Sequence, residues 1–173
     1  MIKKKLSKYS ERIYQDVFVL KTKYIDLLKK KADKSKNKSY RILFHKNNKH
    51  LTHEMMICFK KNAVIPVHKH PINRSESYHI LQGSMNVYFF EDDGKPYGFI
   101  NLSKKNNQIF YRLSCSKFHL LVPNSKYLVY HETVTGPFLT NKDIIYPKWG
   151  SKFNTSEKIN LFLKKNKNVF KKL

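Results

Sequence analysis

An all-β jelly roll closed around a small cavity is the fold class this sequence predicts, and three observations predict it. From Tyr40 onward, short apolar and aromatic runs are separated by turns rich in Asn, Gly and Asp, the pattern of an antiparallel sandwich or barrel. Helical periodicity is confined to the two ends of the chain. Histidines and one carboxylate recur where separate strands could bring them to one point.

In order, the first twenty or so residues are polar and basic, and VFVL (17–20) reads as a short edge strand. Thr22 is placed to cap a helix starting at Lys23, with Tyr24, Leu27, Leu28 and Lys31 on one face and an end near Asp33. KSKNKS is a solvated linker. Strands are then expected at YRILFH, LTHEMMICF, VIPVHKH, SYHILQG, SMNVYFF, FINL, IFYRL, HLLV and KYLVYHETV. After Gly136 the chain is less regular. Asn154 and Glu157 form a candidate capping box for a short helix with Ile159, Phe162 and Leu163 inward, and the basic end KKNKNVFKKL is expected to fray. These divisions give an N-terminal extension and helix (1–38), a barrel (39–149) and a C-terminal basic helix or tail (150–173).

At 173 residues the chain has room for a sizeable core. Hydrophobic content of 40% and aromatic content of 14% argue against disorder. The formal net charge of +23 raises the question of nucleic acid. Yet only Arg12, Arg41, Arg74 and Arg112 among the 35 basic residues are arginine, and the lysines are spread along the whole length. Sequence-reading sites lean on arginine and on clustered basic stripes, so no specific nucleic acid is expected. Cys58 and Cys115 are too few for a disulfide scaffold and read as reduced. The N-terminal stretch lacks an apolar run long enough for a signal peptide or membrane span; the expectation is a cytoplasmic protein with no membrane partner.

The chemistry is concentrated in HKHPINRSESYHILQG (68–83). His68 and His70 are one residue apart, so on extended backbone both imidazoles face the same way. Glu76 opens the next strand, and His119 opens HLLV. Three neutral imidazoles and one carboxylate suit a divalent transition metal (Fe, Mn, Ni or Zn) and suit calcium or magnesium poorly. Tyr78 shares the face of Glu76, where it is either a cavity wall or proton donor or an ordinary core residue. His79 faces away. Glu132 lies on a later strand and is either a base or imidazole-orienting partner, or one end of a salt bridge with Arg41 or Arg112. His131 is the alternative third ligand.

HxH, five residues, Glu76, six residues and Gly83 resembles the first motif of the cupin superfamily, with Asn62 where that motif begins with Gly. Residues 20–149 are similar to one branch of it, the WbuC-type cupin-fold metalloproteins associated with O-antigen and other surface-polysaccharide gene clusters. The similarity is carried by KYIDLLKKKA, YRILFH, VHKHP, YFFEDDGK, HETVTGPF and YPKW. The second cupin motif departs from the family: Ser114, Cys115, Ser116, Lys117 and Phe118 replace Pro-x-Gly-x-Trp. The resemblance implies a double-stranded β-helix in which His68, His70, Glu76 and His119 hold a metal, together with a sugar-like small-molecule ligand and a homodimer. It also makes His45, which coincides with a family histidine upstream of the barrel, a candidate to line the cavity. It leaves open isomerase- or epimerase-like chemistry with Glu132 or Tyr78 as catalytic groups, iron-dependent oxygen chemistry, and a noncatalytic binding protein.

Overall fold

A computed structural model describes residues 2–173, and two facing sheets dominate it. The larger runs in the spatial order β1 (Ile2–Lys5), β2 (Ser10–Tyr14), β3 (Ser39–Leu43), β4 (Thr52–Lys60), β10 (Tyr127–Thr135), β5 (Glu76–Gln82), β8 (Phe110–Leu113). The smaller runs β11 (Lys171–Lys172), β7 (Pro96–Ser103), β6 (Ser84–Phe90), β9 (Phe118–Pro123). Their inner faces interdigitate through Met55, Ile57, Tyr78, Ile80, Met85, Val87, Leu121 and Tyr130, as period-2 strands require. This is the jelly roll expected.

Each sheet is also covered on its outer face. Helix α1 (Thr22–Asp33) lays Leu28 and Ala32, both fully buried, against Ile42, Met56 and Cys58. Burying a leucine in this way contributes about 2 kcal/mol. Cover on both faces explains why Met55 to Phe59 is a continuous apolar run with no alternation. Helix α2 (Ser156–Lys165) and the C-terminal segment do the same for the smaller sheet, through Ile159, Phe162 and Phe170.

Several local expectations are corrected. VFVL forms no strand; Val17 and Val19 are exposed, and the sheet is extended instead by the polar β1 and β2. The N-cap of α1 is Lys21, without a side-chain cap, so Thr22 is already helical. VIPVHKH contributes only isolated bridges at His68 and Lys69, because Pro66 and Pro71 interrupt a regular ladder. The cap of α2 is Thr155, whose hydroxyl accepts from the Lys158 amide, one residue beyond Asn154. The basic end does not fray. Phe170 is 7% exposed within the aromatic cluster of Phe90, Phe153 and Phe162, and it draws β11 into parallel pairing with β7.

Two backbone positions bear on the first motif. Asn62 stands where the resemblance calls for glycine and has φ 65, a left-handed conformation that asparagine tolerates better than most residues. Gly83, between β5 and β6, has φ 83, and a Cβ there would lie 2.3 Å from the Tyr127 carbonyl oxygen.

Candidate metal centre

Three separate segments meet at one end of the space between the sheets. His119 is the second residue of β9, and its backbone exchanges two hydrogen bonds with His68 (His119 N to His68 O 2.9 Å, His68 N to His119 O 3.2 Å). That bridge fixes His119 without the Pro and Gly of the family turn. His70 follows on the same face as His68, while Lys69 turns outward over the Phe118 ring, 2.7 Å from Asp92. Glu76 and Tyr78 project inward from β5, and Tyr78 is paired in register with Glu132 on β10. His79 is exposed.

Every imidazole of the cluster is oriented by a main-chain carbonyl. His68 Nδ1 lies 2.9 Å from the Pro66 oxygen, His119 Nδ1 3.0 Å from Lys117 and His70 Nδ1 3.2 Å from Asp143. A carbonyl only accepts, so each Nδ1 carries the proton and each Nε2 lone pair is left free. One ligand atom from each of His68, Glu76 and His119 falls within 4.8 Å of the other two. His119 Nε2 and Glu76 Oε1 are 3.0 Å apart and fully buried, yet neither meets hydrogen-bond geometry with any partner. Orphaned buried groups of this kind are rare in native folds. The donor set and these two orphans fit a divalent transition ion, with the carbonyls behind each Nδ1 turning Nε2 toward it.

His70 stands slightly apart. Its Nε2 is 3.4 Å from Glu76 Oε2, the oxygen that also accepts from the Tyr78 hydroxyl at 2.6 Å. Tyr78 is thus committed to holding the carboxylate, and burial followed by the Glu76 charge pushes its own ionisation well above the ordinary range.

Burial alone would raise Glu76, but the surrounding imidazoles of His119, His70 and His68 outweigh it and hold the carboxyl well below its usual value. For His119 burial opposes the charge and Glu76 prevails, raising the imidazole. His68 is driven down to about 3, by burial first and then by the His119 charge. Ligating imidazoles and carboxylates must be deprotonated, so a metal ion here would compete with protons for these atoms.

His68, His70 and Tyr78 border a cavity of about 300 Å³ that also reaches Glu132, Arg41, His45 and His53. Glu132 accepts from the Tyr130 hydroxyl at 3.3 Å, and its carboxyl is raised to about 7 by burial and then by the Glu76 charge. Neither Arg41 nor Arg112 is paired with it within 4 Å among the described residues. His131 points out of the sandwich, 3.7 Å from Glu54, and takes no part in the cluster. Cys58 and Cys115 are both free thiols. Missed by sequence reasoning were Asp143, whose carbonyl orients His70, and Arg74, which holds Asp143. Neither lies on a periodic element that would have flagged it.

Residues 20–101 match a family described as a domain of unknown function (DUF6016). No curated protein matches the chain. Among solved structures it is similar to CapF bound to the inhibitor 3-isopropenyl-tropolone, with 13% identity and a TM-score of 0.53 over 65% of this chain and 32% of that chain. It spans about a third of CapF. A cupin superfamily protein from Desulfitobacterium hafniense (11% identity, TM-score 0.44) matches over 56% of this chain and 76% of its own. A protein from Shewanella oneidensis (11%, TM-score 0.49) matches over 68% and 75%. The fold is a cupin jelly roll. Among the described residues no helix is long and apolar enough to cross a membrane.

Proposed function

We propose that this chain is a metal-dependent cupin of the WbuC type that acts on a sugar or nucleotide sugar in surface-polysaccharide biosynthesis, by isomerase- or epimerase-like chemistry. The observation that carries the reading is the convergence of imidazoles with free Nε2 atoms on the buried, unpartnered Oε1 of Glu76. His68, Glu76 and His119 would hold the ion (Fe, Mn, Ni or Zn), with His70 as the fourth ligand. A bound divalent ion supplies Lewis-acid polarisation of a carbonyl or vicinal diol.

The protein's own groups do the rest. Tyr78 keeps the Glu76 carboxylate turned inward. Met55, Ile57, Leu121, Val134 and Phe138 form an apolar wall against which a substrate would pack. Glu132, raised to about 7, is matched to proton transfer near neutral pH. It takes the proton from the carbon beside a carbonyl and returns it to the other face or to the neighbouring carbon. A volume of about 300 Å³ lies at the small end of ligand pockets and admits one monosaccharide unit, so a nucleotide would remain at the mouth.

The test is metal analysis of protein purified without chelator, followed by assay against nucleotide-linked and free keto sugars. The expected result is about one transition ion per chain, lost in His68→Ala and held more weakly by the remaining three ligands in His70→Ala, and turnover reduced on the order of 100-fold in Glu132→Gln. Protein without stoichiometric metal, and both histidine variants melting like wild type, would overturn the reading. Metal without turnover on any sugar would leave a noncatalytic binding protein.

A further inference from the structure

The segment from Gly136 to Pro147 crosses the mouth of the cavity, laying Phe138, Ile144 and Tyr146 against it. One side chain fastens that strap. Arg74, in the loop between the HxH pair and Glu76, donates from Nη1 to the Thr135 carbonyl at 3.2 Å and from Nη2 to the Pro137 carbonyl at 2.5 Å. The same Nη2 is paired with Asp143 Oδ1, and the guanidinium lies 4.6 Å over the Phe138 ring. The Arg74 and Asp143 side chains are only 9% and 14% exposed, so their attraction is little screened. The other Asp143 oxygen accepts from the amides of Leu139 and Thr140, which leaves the aspartate no freedom to turn.

Both ends of this clamp press on one imidazole. The Asp143 carbonyl accepts from His70 Nδ1, and Phe138 packs edge-on against the His70 ring at 5.8 Å. His70 is the one imidazole of the cluster whose orienting carbonyl comes from so far along the chain. His68 and His119 are oriented by carbonyls two residues away, whereas Asp143 is 73 residues from His70. His70 is also the one that stands outside the tight triad of His68, Glu76 and His119.

Building on the metal reading above, we propose that Arg74 is the positioning residue of the metal centre. Through Asp143 and Phe138 it sets the ring of His70 and so decides whether the ion is held by three protein ligands or four. Lysine cannot replace it, because a single ammonium cannot reach two carbonyls and a carboxylate while stacking on a ring.

The experiment is Zn²⁺ affinity by chelator competition, together with the visible spectrum of the Co²⁺-loaded protein. The proteins are wild type, Arg74→Lys, Arg74→Gln, Asp143→Asn, His70→Ala and the His70→Ala/Arg74→Gln double variant. Asp143→Asn is the milder probe, since an amide oxygen still accepts from Leu139 and Thr140. Loss of an orienting partner weakens metal affinity roughly 10–100-fold. That loss is expected in Arg74→Gln and Arg74→Lys and, to a smaller degree, in Asp143→Asn, with Co²⁺ spectra shifted toward that of His70→Ala. In the His70→Ala background Arg74→Gln should change affinity by less than about 2-fold, because the two act through the same ligand. Wild-type affinity in Asp143→Asn and either Arg74 variant overturns the proposal, as does an equal loss with and without His70. Failure of wild type to bind Zn²⁺ and Co²⁺ instead sinks the metal reading itself, and this proposal with it.

Discussion

His45 and His53 line the same cavity as His68 and His70, yet the two groups of histidines are built for opposite purposes. His68, His70 and His119 surround a carboxylate, and their Nε2 lone pairs are free. His45 and His53 stack face to face at 3.9 Å with no carboxylate between them. Arg12, 7% exposed, donates to His45 Nε2 at 3.3 Å and to Asn48 Oδ1 at 3.1 Å. His45 Nδ1 is turned to the Glu54 carbonyl at 3.3 Å. A guanidinium only donates, so the lone pair that a metal would need on His45 is already occupied, and a fixed positive charge stands beside it. Burial, then the neighbouring His53, lowers His45 to about 4, which keeps it neutral. Both groups bring imidazoles together out of water; the charge at the centre of each separates a place for a cation from a packed wall.

Removing the Glu132 carboxylate from the cavity wall and the Arg12 guanidinium from beside His45 should act in opposite directions. The larger effect is expected from Glu132→Gln in metal-free protein. The folded carboxyl is raised from 4.5 to about 7. Between those values the native state holds a proton that the unfolded chain has lost, so the side chain weakens the fold as pH rises, fully so above pH 7. The variant should be more stable than wild type at pH 8 by up to roughly 3 kcal/mol, with no gain at pH 4. Urea unfolding at the two pH values checks it; equal stabilities at pH 8 would remove the basis for treating Glu132 as a neutral-pH proton carrier.

A somewhat smaller effect of opposite sign is expected from Arg12→Gln. It leaves the buried acceptor on His45 short of a donor, at about 1–3 kcal/mol. Thermal melting should fall while metal content stays at the wild-type level. A loss of metal in this variant would mean that the two histidine groups are coupled and that the comparison drawn here is wrong.

How much of this was readable in the chain follows from the distances in sequence over which each feature is set. The HxH pair, the inward face shared by Glu76 and Tyr78 and the outward turn of His79 follow from period-2 alternation alone. The strands from Ser39 to Thr135 were marked by their turns, and Asn62 in a left-handed conformation shows how a missing glycine can be replaced. What was not legible rests on contacts between distant segments. The Arg74 to Asp143 pair spans 69 residues and the Arg12 to His45 contact 33, and no local pattern announces either. The C-terminal segment looked solvated because its lysines outnumber its apolar residues; one phenylalanine, Phe170, was enough to bind it to the aromatic cluster. VFVL failed for the converse reason, since polar β1 and β2 supply the pairing partners at that edge.

The central claim is that a transition ion belongs with Glu76 and not with the other buried histidines. Anomalous diffraction from crystals of the metal-loaded protein, collected at the absorption edge of the bound metal, tests it most directly. The account predicts one peak at bonding distance, about 2.0–2.2 Å, from Nε2 of His68 and His119 and from Oε1 of Glu76. A peak beside His45 and His53, or none in protein carrying stoichiometric metal, would contradict it.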